Sequence, residues 1–427
     1  MGVWLVPLAF FGLLALGMPV GIAIGVAGTI GILDMGPRFM TMAPDRIFAG
    51  LDLFPFLAMP FFILAGEIMN RSGITAGLVR LASSLVGWLR GGMAHSNMAA
   101  SVMFAGLTGS ATADAAAFGN TLVPAMRKAG YNGAYACAVT AAGSIIGPTI
   151  PPSTLAIIYG SIMGVSIAGL FAAGILPGLL IAVVCMIVIA LTANRYNLPP
   201  GEGRLSLREI AASLKEGLLA AFLPIFILAS ILGGWATPTE AASIAVAYAL
   251  FVGGVLYRAL TFRDLYEIAV RTTLLTGVIF LIIASATILG WWMTYNQVPQ
   301  AIARGMLAIS DNPQVIIAMI LVLLLVIGLV MDINATLIIL APVLAPLTVT
   351  IGMEPVHAGI MIILALNISL MTPPVGACLF VLASVTGEKI EAITRYLWPF
   401  ILAQFCVLIL IAYWADLTLF IPRLLGL

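Results

Sequence analysis

Gly106-Leu107-Thr108-Gly109-Ser110-Ala111-Thr112-Ala113-Asp114 and Gly328-Leu329-Val330-Met331-Asp332-Ile333-Asn334-Ala335-Thr336 are two polar islands, each in the middle of a long apolar stretch. They stand 222 residues apart and both open on Gly-Leu. At the same offset Pro124 meets Pro346, Gly130 meets Gly352, and Pro151-Pro152 meets Pro373-Pro374, with no gap. Glycine and proline fix backbone shape, so their recurrence at one spacing is what duplicated turns and breaks leave behind.

The surroundings of these islands define the solvent. Of 427 residues, 62% are hydrophobic and 8% charged, where a soluble domain carries about 25% charged residues. The chain therefore reads as an all-α polytopic membrane protein with no soluble domain, its first partner being the lipid bilayer. A net charge of +1 gives no basic face for nucleic acid. The cysteines Cys137, Cys185, Cys378 and Cys406 lie in apolar stretches without metal or disulfide spacing and read as packing residues. No HExxH, G-x-S-x-G or phosphate-binding G-x-x-x-x-G-K-[ST] is present, so neither a membrane protease nor an ATP-driven pump is indicated, and no enzyme is expected.

Apolar runs long enough to cross a bilayer, at about 20 residues each, fall at 3–32, 51–70, 134–163, 167–194, 217–235, 241–257, 273–295, 356–385 and 398–421. The first is too long for a signal peptide core and lacks its flanks, so it is expected to stay as a single lead crossing. Runs 93–126 and 315–351 are interrupted in the middle, and each half is expected to be too short to span. Both read as re-entrant hairpins, which are tolerated only where protein or a wet cavity shields the broken backbone. This assignment puts fourteen of the 18 lysines and arginines on one face and leaves Arg38, Arg46, Arg304 and Arg423 on the other. Positive charge marks the cytoplasmic side, so the amino terminus is expected there and the carboxyl terminus in the periplasm, across a bacterial inner membrane.

Five crossings separate the starts of the two units, an odd number, so the second copy is expected upside down, as in secondary transporters. The expected organisation is a lead helix in 1–46, a first repeat in 47–212, linking helices in 213–262 and a second repeat in 263–427. Ile74, Leu78, Leu81, Leu85 and Leu89 make an apolar face between Arg71, Arg80 and Arg90 and read as an interfacial arm, with a weaker counterpart within 300–311.

A helix that stops and restarts exposes carbonyls at one end, suited to a hard cation, and N–H groups at the other, suited to an anion. Around the islands, the hydroxyls of Thr108, Ser110, Thr112 and Thr336 and the amide of Asn334 add oxygen ligands, and Asp114 and Asp332 are costly charges that mark function. Helix capping is the plainer role for the hydroxyls. The partner of each tip is the break in the next helix, Gly147-Pro148-Thr149-Ile150-Pro151-Pro152-Ser153 in one half, Asn367 and Met371-Thr372-Pro373-Pro374-Val375-Gly376 in the other. Two adjacent prolines in mid-membrane free several carbonyls that need a partner.

Gly109 to Asp114, Gly147 to Ser153, Met331 to Asn334 and Thr372 to Gly376 together resemble the large membrane (M) subunit of tripartite ATP-independent periplasmic (TRAP) transporters, over the whole chain. The resemblance implies a sodium-driven importer of small organic acids, sialate, dicarboxylates or similar carboxylates, working by an elevator mechanism. It also implies two partners, a smaller membrane subunit and a periplasmic substrate-binding protein. Carried onto this sequence, one sodium ion is held by Thr108, Gly109, Ser110 and Thr112 with Gly147, Pro148, Thr149 and Ile150. A second is held by Met331, Asp332 and Asn334 with Met371, Thr372, Pro374 and Gly376. The acid lies between the tips, against Ser110, Ala111, Asp332 and Ser153. Competing readings are a sodium/dicarboxylate symporter of related architecture that needs no binding protein, and a channel lined by broken helices.

Overall fold

The computed structural model describes residues 2–73, 75–201 and 206–427, and its regular structure is entirely helical among them. Ile74 of the arm and Arg204 of the charge count lie outside the described residues.

The apolar run 3–32 is two helices, not one crossing. α1 (Gly2–Ala15) ends at a turn where Gly17 takes φ +80°, and Pro19, which has no N–H to donate, precedes α2 (Val20–Met35). The Val6 side chain lies against Gly31, whereas a continuous helix would hold those residues roughly 37 Å apart at about 1.5 Å per residue. A single crossing would leave the ends of this run on opposite faces. Doubled back they share one, so the amino-terminal end falls in with Arg38 and Arg46, and the expected cytoplasmic amino terminus loses its premise.

α3 (Met42–Leu51) and α4 (Ala58–Arg71) belong to a pair bent by 61°. α5 (Thr75–Val86) buries Leu78 and Leu81 and leaves Leu85 more exposed, as an arm with one apolar face does. α6 (Gly92–Thr108) and α7 (Ala111–Lys128) meet at a two-residue break. Their chain doubles back there: the Phe104 and Phe118 ring centroids are 4.9 Å apart, against about 21 Å along a straight helix. At 18 residues α7 is about 27 Å long, so doubling back, not shortness of the halves, makes the hairpin. α8 (Gly133–Ser144) and α9 (Thr154–Met163) flank the first double-proline break, and α10 (Ile167–Thr192) follows.

α11 (Leu207–Leu232) and α12 (Pro238–Leu250) link the halves. α13 (Phe262–Tyr295) starts on a reciprocal cap between Thr261 and Asp264. Gly21, Gly25, Gly28 and Gly31 of α2 run against Ile282, Ser285, Leu289 and Trp292 of α13, small residues that let two backbones approach closely. α14 (Val298–Ile309), α15 (Pro313–Gly328), α16 (Ile333–Thr350), α17 (Pro355–Ser369), α18 (Ala377–Thr386) and α19 (Ile390–Tyr413) then repeat the succession of α5 to α10. Adding 222 to the bounds of α7 gives those of α16, and α5, α6, α8, α9 and α10 each start within one residue of their counterparts on the same shift. The expected last crossing at 398–421 is also divided, because Trp414 leaves helical dihedrals and α20 (Asp416–Leu425) turns to pack on α10 and α17.

Of the nine expected crossings, five helices among the described residues are long and apolar enough to span, or seven with bent pairs counted. Breakage accounts for much of the difference. α8 from Ala134 and α17 from Val356 are buried on every side to their ends, which places these two halves of the interrupted helices at the centre of the protein.

Candidate functional site

The first tip is built on Gly109. It takes φ +57°, a left-handed conformation, and a Cβ there would meet the Pro152 carbonyl oxygen at 2.7 Å, so the tip sits directly on the first break. Thr154 at the start of α9 donates its hydroxyl to the Gly109 carbonyl at 3.2 Å. Thr108 donates to the carboxylate of Asp114, one turn into α7, and the hydroxyls of Ser110 and Thr112 are 3.3 Å apart. Asp114 is fully buried. Its second oxygen has no hydrogen-bond partner among the described residues and lies against Gly147, where any side chain would collide with it.

The second tip is a cap. Asp332 Oδ1 accepts the N–H groups of Asn334 at 2.9 Å and Ala335 at 3.2 Å, so the carboxylate caps the start of α16 while the residue stays exposed. Thr336 donates to the Asp332 carbonyl at 2.9 Å, a bond back along its own helix and not a cap.

The two breaks differ in exposure. The first is buried throughout. Thr149 donates to the Ile145 carbonyl at 2.8 Å and accepts from the Asn367 amide at 3.1 Å. Ser153 donates to the Pro148 carbonyl at 2.5 Å and accepts the Ala156 N–H, acting as the cap of α9. In the second break Thr372 donates to the Ile368 carbonyl at 2.7 Å, Gly376 takes φ +45°, and Pro374 and Val375 are exposed. The Pro151-Pro152 and Pro373-Pro374 bonds are both cis.

One cavity of about 420 Å³ gathers both tips. Thr108, Gly109, Ser110, Ala111, Thr112 and Pro148 line it from the first half, and Asp332 and Asn334 from the second. Gly147, Thr149, Ile150, Ser153, Met371, Thr372, Pro374 and Gly376 do not reach its wall. Gly147 underlies Asp114, Ile150 packs on Gly178 of α10, and Met371 is fully buried. Met331 and Thr336 face a different, apolar cavity of about 700 Å³ beside α1 and α14.

The cavity also holds an ion pair from outside the tips. Arg271 of α13 contacts Glu67 of α4 at 3.2 Å, Nε to Oε1, and both line the wall with Asn70. Arg271 falls among the fourteen charges that the sequence assigns to one face. The cap at Thr261 and Asp264 starts α13 early enough to draw Arg271 more than two turns inside it, and that cap was the readable signal. Two carboxylates and one guanidinium leave the wall formally negative. Oxygen atoms dominate its polar groups, and among the described residues no three His, Cys, Asp or Glu side chains gather as transition-metal ligands do. Such a surface has the oxygen donors that suit hard cations.

Comparison with known proteins agrees with this architecture. Residues 8–417 match the family model described as Tripartite ATP-independent periplasmic transporter, DctM component. The chain is 39% identical over 417 residues to the Sialic acid TRAP transporter large permease protein SiaM of Vibrio cholerae, covering 97% of each. It is 36% identical over 406 residues to the 2,3-diketo-L-gulonate TRAP transporter large permease protein YiaN of Escherichia coli, covering 95% of each. The solved YdaH transporter of Alcanivorax borkumensis superposes with a TM-score of 0.64 at 16% identity, over 89% of this chain and 88% of that one, a likeness of fold.

Proposed function

Because this chain belongs to the tripartite ATP-independent periplasmic transporter family, as a DctM component, we propose that it is the large permease of a sodium-coupled importer of a small organic acid. The observation that carries the reading is the cavity of about 420 Å³ in which tips from two halves of the chain meet under a net negative wall. An acid entering it adds charge of the same sign, and cations bound at the tips offset both. Import of more sodium charges than acid charges is then driven by the membrane potential, at about 2.3 kcal/mol per charge per 100 mV. Asp114 Oδ2 and the side-chain amide oxygen of Asn367, both buried and without a hydrogen-bond partner among the described residues, supply further cation-seeking groups behind the tips. Sialate, diketogulonate and dicarboxylates form the substrate class.

On this reading the two halves are inverted copies, α6/α7 and α15/α16 are re-entrant hairpins, and the arginine-rich ends face the cytoplasm of a bacterial inner membrane. A small membrane subunit and a periplasmic binding protein complete the system. The hairpins and broken helices move as one body while α4, α13 and the arms α5 and α14 stay anchored, as in an elevator.

The test is uptake of labelled N-acetylneuraminate, diketogulonate and succinate by proteoliposomes holding the chain and its small subunit, with binding protein outside. Uptake is expected to require an inward sodium gradient and to rise with an interior-negative potential. Uptake indifferent to sodium ends the proposal, and full uptake without any binding protein favours the simpler symporter. Cross-linking Ala113 of the first tip to Ile63 of α4 is expected to abolish uptake; unchanged uptake rules out an elevator.

A further inference from the structure

We propose that Arg271 is the group that receives the carboxylate of the transported acid, and that Glu67 is a built-in competitor which holds the guanidinium when the acid is away. The inference rests on the transport reading above and assigns the anion's contact within that cavity. Arg271 is the one cation lining the cavity among the described residues, so an entering carboxylate finds there no other full positive charge from a side chain. The guanidinium is only partly used: it meets Glu67 through Nε at 3.2 Å, and its side chain is 61% exposed while that of Glu67 is 14% exposed. A mostly exposed guanidinium on the cavity wall carries a planar fork of donors that matches a carboxylate in two parallel hydrogen bonds.

Position in the fold gives the contact a second property. Arg71, three and a half turns from the start of α4, pairs with Asp264 at 2.6 Å and with Glu267 at 3.5 Å, so the outer ends of α4 and α13 are already tied by ion pairs. The deeper Glu67–Arg271 pair is not needed to hold them together. Arg271 is carried by α13 and not by either hairpin. It therefore meets the acid only while both tips share a cavity with it, and Glu67 reclaims it as the acid departs, which keeps release from being slowed by a guanidinium that has no other partner.

The experiment uses the complex of this chain with its small subunit, titrated in sodium with N-acetylneuraminate, 2,3-diketo-L-gulonate and succinate by calorimetry. Arg271→Gln is expected to weaken binding of the acid at least about tenfold, and Arg271→Lys, which keeps the charge and loses the fork, to weaken it less. Glu67→Gln breaks the same ion pair and is expected to tighten binding, because the competitor is gone. Equal weakening in Arg271→Gln and Glu67→Gln would mark a structural pair and overturn the proposal. Wild-type binding in Arg271→Gln and Arg271→Lys overturns the arginine's role while leaving sodium-coupled transport standing. A wild-type complex that binds none of the acids overturns the transport reading and this proposal with it.

Discussion

Asn367 donates its side-chain amide to the hydroxyl of Thr149 at 3.1 Å, and both residues are buried. Thr149 in turn donates to the carbonyl of Ile145, the position that a shift of 222 residues carries onto Asn367. One hydrogen bond thus ties the interrupted helix of one half to that of the other beside equivalent turns. Thr149→Val and Asn367→Ala are each expected to destabilise the protein by about 1–3 kcal/mol through a buried group left unpaired. The double variant is expected to lose less than the sum, by about 0.5–3 kcal/mol, since the two share one bond. Thermal melting of the four proteins in detergent reads the cycle, and strict additivity would show that the breaks do not support each other.

Gly109 and Gly352 separate backbone strain from crowding. Both have positive φ, +57° and +81°, but a Cβ at 109 meets the Pro152 carbonyl oxygen at 2.7 Å, while one at 352 meets open space. Alanine carries the left-handed cost at either site, about 1–2 kcal/mol. Only at 109 must the tip also lift from the break. Gly109→Ala is expected to lose most uptake, and Gly352→Ala to keep it, in initial-rate measurements normalised to the protein inserted. Equal rates in the two would detach the tip's seating from transport.

Local backbone chemistry was legible in the residues, and long-range placement was not. Gly109 and the paired prolines at 151–152 and 373–374 announce breaks because each restricts its own dihedrals or donors, and helix bounds recur at the offset those residues define. The turn at Gly17-Met18-Pro19 carried the same signals, yet a window of unbroken apolarity from 3 to 32 outweighed them, and one helix was expected where two pack back to back. Ser153, Thr372 and Gly147 share motifs with cavity residues but do not line the cavity, since a motif names neighbours in the chain and not the side that packing turns to it. Arg271 escaped because its partner Glu67 lies about 200 residues away, on a helix that sequence spacing cannot place beside it.

Asp264 gives a pH dependence of definite sign. The Thr261 hydroxyl and N–H, then Arg71, hold its carboxyl down at about 2, below the ordinary 3.8. A carboxyl depressed by folding stabilises the folded state above its unfolded value, and the gain is lost as pH falls from about 4 to about 2. The melting temperature of wild type is therefore expected to exceed that of Asp264→Asn by a constant margin from pH 8 to pH 5. The margin is expected to close on acidification below pH 4. A margin that grows on acidification would reverse the sign and remove the cap at the start of α13 from the account.

Asp332 combines a structural and an electrostatic role that two substitutions separate. Its Oδ1 caps α16 through the N–H groups of Asn334 and Ala335, while the exposed carboxylate adds negative charge to the cavity. Asparagine caps helices about as well as aspartate, and loss of the cap to alanine costs about 0.5–2 kcal/mol. Asp332→Asn is therefore expected to melt like wild type but to need roughly tenfold more sodium for half-maximal uptake, the equivalent of about 1.4 kcal/mol of cation binding. Asp332→Ala is expected to show the same sodium shift together with a lower melting temperature. If the sodium dependence of Asp332→Asn matches wild type while Asp332→Ala alone fails, the residue is a cap and the cation is held elsewhere.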